Sequence, residues 1–328
     1  MLKIGIISAW HVHTNDYARQ IVQSGKAEIV AMWDEDVARG QKWAEENGCA
    51  FVADYDALLN NAEIDAVVVN APTTDHPALI AKAVAAGKHV FTEKLLAVST
   101  AEAKELCAQI ENAGITFTIS LPQLSDPYVQ YAKSLVDSGA LGKVTGARFR
   151  RSHGGVSDNW LPAYWFDTSK SGGGAMMDLG AHPIYVLAYL FGAPKRISAV
   201  MNAPYNTSAD ENAIAVCEFE NGVIATAETA FVTFGVPDII EVYGTEGAVF
   251  INGKDVKLST KVTSALGAPA ITPSQLPERK ASPIMQFVDA CLNGTGTPEA
   301  LGTDAALVMT QMIEASYQSD KTGQTIIF

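Results

Sequence analysis

The sequence is poor in cysteine, in positive charge and in long apolar runs. Its four cysteines, Cys49, Cys107, Cys217 and Cys291, are scattered along 328 residues with no paired spacing. That pattern excludes a disulfide scaffold, a CxxC redox centre and a cysteine zinc site. It reads as four reduced thiols in a cytoplasmic protein. Lys and Arg number 23 against 36 Asp and Glu, a net charge of −13. No basic surplus is present to replace phosphate counterions, so nucleic acid is not an expected partner. No apolar run approaches the roughly 18 residues of a membrane span, and no membrane association is expected. The run from Ile4 to Trp10 meets histidines rather than a small-residue cleavage site, so it reads as a first strand, not a signal peptide.

What is present is a hydrophobic fraction of 48% in a chain long enough for about two domains. The first part alternates strand and helix signals. Lys3 to Ser8, Ala27 to Trp33, Ala66 to Asn70, His89 to Thr92 and Ile115 to Ser120 are apolar runs of strand length, with helical patterns between them. Ser99 and Glu102 form a capping box, and Thr74 or Asp75 is placed to cap the helix that carries Pro77 in its first turn. Alternation of this kind predicts an α/β fold with an N-terminal Rossmann doubly wound parallel sheet over residues 1–121.

Beyond residue 121 the pattern changes. A helix opens at Asp126-Pro127, a strand covers Val144 to Ser152, and residues 153–174 read as a long loop ending in Gly172-Gly173-Gly174. A helix is expected from about Ala175 to Phe191. Asn221-Gly222 and Asn252-Gly253 then mark hairpin turns. Residues 122–328 are therefore expected to form an α/β domain with a large open, mostly antiparallel sheet, for substrate binding and oligomerisation.

The turn after the first strand also lacks something. A dinucleotide fold wants G-x-G-x-x-G there, for a tight turn, close approach of a pyrophosphate and close helix packing. Ser8, Trp10 and His13 occupy those three positions. Trp10 at the middle position should crowd a pyrophosphate unless the loop is reshaped. Two readings stay open: a remodelled cofactor turn, with Ser8, Trp10, His11 and Val12 as contacts, or a fold that has lost its dinucleotide. Asp34 ends the second strand, 21 residues past His13. That is the place of a ribose-binding carboxylate, which favours NAD over NADP, or of a helix cap.

Other candidates lie at the carboxyl ends of strands, where open α/β sheets bind ligands. Asn70, Pro72, Thr73 and His76 follow one strand, His76 reading as a base or, more simply, as a helix-start residue with a capping role. Glu93 and Lys94 follow the next. A lysine there can donate to a hydroxyl or a developing alkoxide, or form a surface Glu–Lys pair. Asp178 and His182 are four apart, which on one helix stacks a carboxylate against an imidazole, as a general base requires or as a buried structural pair would. His11, His13, Asp178 and His182 include zinc-type donors. His-x-His in a turn is a loose pattern with no HExxH or CxxC beside it, so no metal is expected.

Together these residues resemble the Gfo/Idh/MocA oxidoreductase family, the group containing glucose–fructose oxidoreductase and inositol dehydrogenases. Four segments carry the resemblance: Val68 to Thr92 with Asn70-Ala71-Pro72, His76 and Ala86-Gly87-Lys88-His89-Val90; Glu93-Lys94, where the family has Glu-Lys-Pro; Gly172-Gly173-Gly174 to His182; and Phe287-Val288-Asp289 to Gly323. The resemblance implies NAD(P)-dependent chemistry at a hydroxyl carbon of a sugar, cyclitol or related polyol. It implies Lys94, Asp178 and His182 as the catalytic set, and a homodimer or homotetramer formed through the C-terminal sheet. Lys94, His153, Trp165, His182 and Tyr185 are the expected substrate contacts. Leu95 replaces the family proline, Thr73 the usual Asn, and Tyr185 a second Asp found in many members. Two other functions remain open: transient oxidation by a retained NAD, serving a lyase, epimerase or glycosidase, and a sugar-sensing regulatory protein with catalysis lapsed.

Overall fold

The structure is a computed structural model that describes residues 1–264, 267 and 270–328. It divides into two compact units. Unit 1 comprises Met1–Leu121 and Ala281–Thr310; unit 2 comprises Pro122–Lys280 and Gln311–Phe328.

In unit 1 the order is β1 (Leu2–Ile7), α1 (Thr14–Ser24), β2 (Ala27–Trp33), α2 (Val37–Asn47), β3 (Ala50–Phe51), α3 (Tyr55–Leu59), β4 (Ala66–Val69), α4 (His76–Ala85), β5 (His89–Thr92), α5 (Thr100–Ala113) and β6 (Phe117–Ile119). The sheet has strand order β3-β2-β1-β4-β5-β6 and its pairs are parallel. This is the doubly wound arrangement, whose direction of winding reverses between β1 and β4. The unbroken apolar runs follow from it: all four residues of β4 are buried, as a strand covered on both faces needs. Helix starts obey local chemistry. Ser99 accepts the Glu102 N–H at 3.3 Å and donates to its carboxylate at 2.6 Å, the expected capping box. Asp75, by contrast, occupies the N-cap of α4 without a side-chain cap bond.

The core of unit 1 is completed by α10 (Pro283–Asn293), after the chain has traversed unit 2. Its Ile284, Phe287 and Val288 pack with Ile4, Ile6, Val68 and Phe91, and the Phe91 and Phe287 rings lie 5.8 Å apart.

Unit 2 contains α6 (Pro127–Asp137), β7 (Val144–Ser152), α7 (Thr168–Ser171), α8 (Ala181–Phe191), β8 (Pro194–Asn202), β9 (Asn212–Phe219), β10 (Ile224–Ala230), β11 (Ile239–Gly244), β12 (Gly247–Asn252), β13 (Asp255–Thr260), α9 (Lys261–Ser264), β14 (Ala270–Ile271) and β15 (Ile326–Ile327). The last long helix, α11 (Thr303–Thr322), begins in unit 1 and ends in unit 2. The nine strands order as β14-β13-β12-β11-β7-β10-β9-β8-β15. Among the described residues, only β7–β10 is a parallel pair. The expected hairpin at Asn221-Gly222 joins β9 to β10, with Gly222 at φ 85°, and that at Asn252-Gly253 joins β12 to β13. Burial along β9 alternates strictly, so one sheet face is covered, and α8 lies against β7 and β10. The residues 153–174 hold more structure than a loop: a 3₁₀ turn at Ala163–Phe166 and α7.

Burial depresses the pKa of His89 at the start of β5, against the opposing pull of Asp65. Its Nδ1 accepts the Thr116 N–H at 3.0 Å, which requires the neutral ring. Below the unfolded pKa of about 6.5 the unfolded chain gains a proton that the folded chain refuses, so stability falls as pH falls through that value. Urea unfolding of the native chain and of His89→Gln, at about pH 7.5 and 5.5, should show the smaller pH-dependent loss in the variant.

Candidate functional site

The turn after β1 shows how a glycine-free version of this fold is built. Ser8 adopts φ 69°, the left-handed conformation that glycine usually supplies. Its hydroxyl accepts the Trp10 N–H at 3.1 Å. The Trp10 side chain is buried, its ring 6.3 Å from that of His11. The loop is thus reshaped, and the tryptophan is tucked into protein rather than left across an open turn. The His11 N–H donates to the Asn70 carbonyl at 3.0 Å, tying the turn to the end of β4. Val12 is exposed.

Asp34 is buried with both oxygens in use. It accepts from the Ala9 N–H at 2.9 Å, the Asp36 N–H at 2.8 Å and the Arg39 guanidinium at 2.6 and 3.0 Å. Gly40 makes this packing feasible, since a Cβ there would lie 2.5 Å from the Asp34 Cβ. Arg39 was not singled out by the sequence; its i+5 spacing from Asp34 gives no recognised signal.

Pro72 and Thr73 are buried in the turn after β4. His76 is fully buried as the first residue of α4, but it does not cap. Its Nδ1 faces the Leu95 carbonyl at 2.5 Å and its Nε2 the Ala71 carbonyl at 2.9 Å. Burial pushes its pKa down, against those two carbonyls. It links the two turns that carry Asn70 and Lys94.

Glu93 is a buried charge met from several sides. It is 1% exposed, and its backbone N–H donates to the Val69 carbonyl at 2.9 Å. His13 Nδ1 lies 2.8 Å and His11 Nδ1 3.6 Å from its Oε1. The Tyr17 hydroxyl donates to the same oxygen and meets the Ser120 hydroxyl at 2.7 Å; the Lys94 N–H donates to Oε2 at 3.0 Å. Burial alone would raise the Glu93 pKa, but His11 and His13 hold it well below the usual carboxylate range. Tyr17, raised well above its ordinary value by burial and then by Glu93, keeps its proton. Tyr17 lies on the buried face of α1, and no sequence motif marks its hydroxyl. The available signal was that a buried tyrosine needs a partner for that group.

In unit 2 the triple glycine explains the placement of Asp178. The expected helix from about Ala175 begins only at Ala181; residues 175–180 are irregular turns. Asp210 replaces the missing regularity. Its carboxylate accepts the Gly174 and Met176 N–H groups at 2.8 and 2.7 Å and the Tyr317 hydroxyl at 2.6 Å. A Cβ on Gly174 would lie 2.0 Å from the Asp210 carbonyl oxygen. Asp178 and His182 therefore do not share a regular helix. Asp178 Oδ2 accepts the Trp165 indole N–H at 3.2 Å, and His182 Nδ1 meets the Tyr185 hydroxyl at 2.7 Å. Tyr185 also accepts the Gln123 N–H at 3.1 Å. His153 stacks on Phe231 at 5.1 Å with Trp160 at 4.7 Å, and burial lowers its pKa against the pull of Asp178. Trp165 is buried; Trp160 and Tyr164 are exposed.

Comparison with known proteins assigns the chain. Residues 2–121 match the oxidoreductase family with an NAD-binding Rossmann fold, and residues 129–250 match the GFO/IDH/MocA C-terminal domain. Together these cover well over half of the chain, which belongs to the Gfo/Idh/MocA family of NAD-dependent oxidoreductases. Among its relatives is scyllo-inositol 2-dehydrogenase (NAD(+)) of Bacillus subtilis, 28% identical over 245 residues, 72% of this chain and 69% of that one. Another is 1,5-anhydro-D-fructose reductase of Ensifer adhaerens, 25% identical over 311 residues, 93% of this chain and 92% of that one. A levoglucosan dehydrogenase, in complex with NADH and levoglucosan, shares the fold with a TM-score of 0.86 at 18% identity, covering 99% of each chain. No helix among the described residues is long and apolar enough to cross a membrane.

Several features fit a dinucleotide at the carboxyl edge of β1 and β4. The Asn70 side chain is buried there with neither amide atom hydrogen-bonded, an unmet polar group of the kind a ligand satisfies. Ser8 reproduces the backbone that glycine usually allows. The part that does not follow the usual pattern is Asp34, whose carboxylate is already bound to Arg39.

The Asp210 clasp carries a direct test. Gly174→Ala forces a side chain against backbone that cannot move aside and should cost about 1–3 kcal/mol, read as a lower urea midpoint. An unchanged midpoint would mean that the turn relaxes freely.

Proposed function

We propose that the protein is an NAD-dependent dehydrogenase of a sugar, cyclitol or related polyol, with His182 as general base. The observation that supports this most directly is the 2.7 Å contact of His182 Nδ1 with the Tyr185 hydroxyl. A base acting through Nε2 needs its proton on Nδ1, and Tyr185 can accept that proton's hydrogen bond while its oxygen also accepts from Gln123. Tyr185 would then orient the ring of His182 with Nε2 as the acting nitrogen. Asp178, held by Trp165, would favour the imidazolium that forms when the hydroxyl proton is taken. Lys94 would donate to the substrate oxygen and stabilise negative charge developing on it. Bound nicotinamide would supply the hydride acceptor. Ser8, Trp10, His11, Val12, Asp34, Asn70, Pro72, Thr73, His76, Glu93 and Lys94 would form or support the cofactor site. His153 and Trp165 would line the substrate side.

NAD is the expected cofactor rather than NADP, on the carboxylate of Asp34. Calorimetry with NAD, NADH and NADP tests this on the native chain and on Asp34→Ala. NAD binding that weakens in the variant supports the assignment; tighter binding of NADP overturns it. With a polyol and sugar panel, His182→Gln and Lys94→Ala should each lower kcat by about 10²-fold or more, as loss of a positioned proton-transfer or oxyanion group does. Turnover unchanged in both removes the mechanism. Product formed without net NADH would favour transient oxidation instead. Sugar binding with neither nucleotide binding nor turnover would favour the sensor reading.

The same reading expects a cytoplasmic homodimer or homotetramer. The uncovered face of the unit 2 sheet carries Val200, Ile214, Val216 and Ile224 on adjacent strands, Val200 74% and Ile224 53% exposed. Beside them Arg148 is paired with Glu228 and Glu241. A second copy covering this face would bury the apolar stripe. Val216→Lys should shift the sedimentation coefficient to that of a monomer; a native chain that already sediments as a monomer removes the dimer.

A further inference from the structure

The turn that replaces the glycine fingerprint brings together three metal-ligating side chains, and this cluster lies wholly within unit 1. One nitrogen each from His11 and His13 and one oxygen of Glu93 lie within 4.8 Å of one another. The His13–Glu93 and His11–Glu93 separations are 2.8 and 3.6 Å, and the two imidazole centroids are 4.6 Å apart. Nitrogen and oxygen donors around a tetrahedral ion, each about 2.1 Å from it, stand roughly 3.4 Å from one another. The observed separations bracket that value.

The cluster is held in place before any ion arrives. His11 Nδ1 accepts the His13 backbone N–H at 3.2 Å, which keeps that nitrogen on the inner side of the turn. A carboxylate oxygen of Glu93 lies 3.6 Å away. The backbone on both sides is fixed beforehand: the His11 N–H is bonded to the Asn70 carbonyl at 3.0 Å and the Glu93 N–H to the Val69 carbonyl at 2.9 Å. The carboxylate is further oriented by the Tyr17 hydroxyl, itself 2.7 Å from Ser120, in the manner of outer-sphere groups that aim metal ligands. Access exists on one side only, since the His13 side chain is 44% exposed while those of His11 and Glu93 are 5% and 1% exposed.

We propose that His11, His13 and Glu93 form a binding site for a single divalent transition-metal ion of the zinc, cobalt or nickel class. Two imidazoles with one carboxylate suit these borderline ions and disfavour magnesium and calcium, which seek oxygen. Three protein ligands leave an open position toward the exposed side of His13. The site differs from the donor set suggested by sequence alone: the third ligand comes from the end of β5, 80 residues beyond His13, not from Asp178 or His182.

The test uses the whole chain, stripped with EDTA and free of nucleotide, so its outcome is independent of whether NAD binds or substrate turns over. Cobalt(II) is titrated while its visible ligand-field bands are followed, and zinc(II) is titrated by calorimetry. One equivalent should bind saturably, zinc should displace cobalt, and excess magnesium should displace neither. His13→Gln, at the exposed position where folding is least at risk, should weaken binding by more than tenfold, with unchanged near-ultraviolet circular dichroism as the check on folding. Tyr17→Phe keeps all three ligands and should weaken binding by about 10–100-fold without abolishing it, as loss of outer-sphere support does. Absence of saturable binding at one equivalent would overturn the site. So would affinity unchanged in His13→Gln, or displacement by magnesium, which would mark adventitious binding elsewhere.

Discussion

Unit 1 turns on a buried carboxylate that must be compensated where it stands. Glu93 is placed by strand geometry, as the first residue beyond β5 at the carboxyl edge of a sheet buried on both faces. Moving an ionised carboxylate out of water costs several kcal/mol even after relaxation, and removing the partners of a buried charge costs about 3–5 kcal/mol. The surroundings of Glu93 are consequently fixed in kind: donors and positive charge, at short range. His13, Tyr17 and the Lys94 N–H meet that demand directly, and His11 stands just outside hydrogen-bond distance. Because two of these come from the turn after β1, the carboxylate also dictates the shape of that turn.

This constraint gives a physical account of the missing glycines. In the usual fingerprint the turn is narrow because nothing but backbone is there. Here two imidazoles must reach Glu93 from alternate positions of a short turn. Ser8 takes the left-handed conformation and its hydroxyl holds the Trp10 N–H, so the chain bends without glycine. Trp10, between the bend and the histidines, goes inward. Asp34 and Arg39 brace the other side through the Ala9 N–H. Losing the fingerprint is therefore not a loss of order. The turn is more heavily cross-linked by side chains than a glycine loop can be, and Asn70 beside it keeps an unmet amide.

How far this was legible in the sequence differs by element. Strand and helix alternation, the capping box at Ser99 and the hairpins at Asn221 and Asn252 depend on local chemistry, and local chemistry is written in adjacent residues. The family resemblance was also legible, because Glu93-Lys94 and the glycine run preceding His182 are contiguous. What escaped depends on distant residues. Asp178 and His182 were read as one turn apart on a helix, yet Asp210, 32 positions beyond Asp178, holds residues 174–176 out of helical form through their N–H groups. Likewise the packing of Phe287 with Phe91 joins segments nearly 200 residues apart, and no pattern around either reports the other.

The same distinction bears on the candidate site. Residue type identified the groups with chemistry to offer, but not their partners, and it is partners that set protonation and orientation. His182 Nδ1 meets the Tyr185 hydroxyl, a group that can donate to that nitrogen or accept from it. Such a partner fixes the orientation of the ring whichever way the bond runs. In the proposed mechanism, stabilising the negative charge on the substrate oxygen would fall to Lys94. A base and an oxyanion donor would there divide the work of ionising a hydroxyl, a division that residue type at either position alone does not reveal.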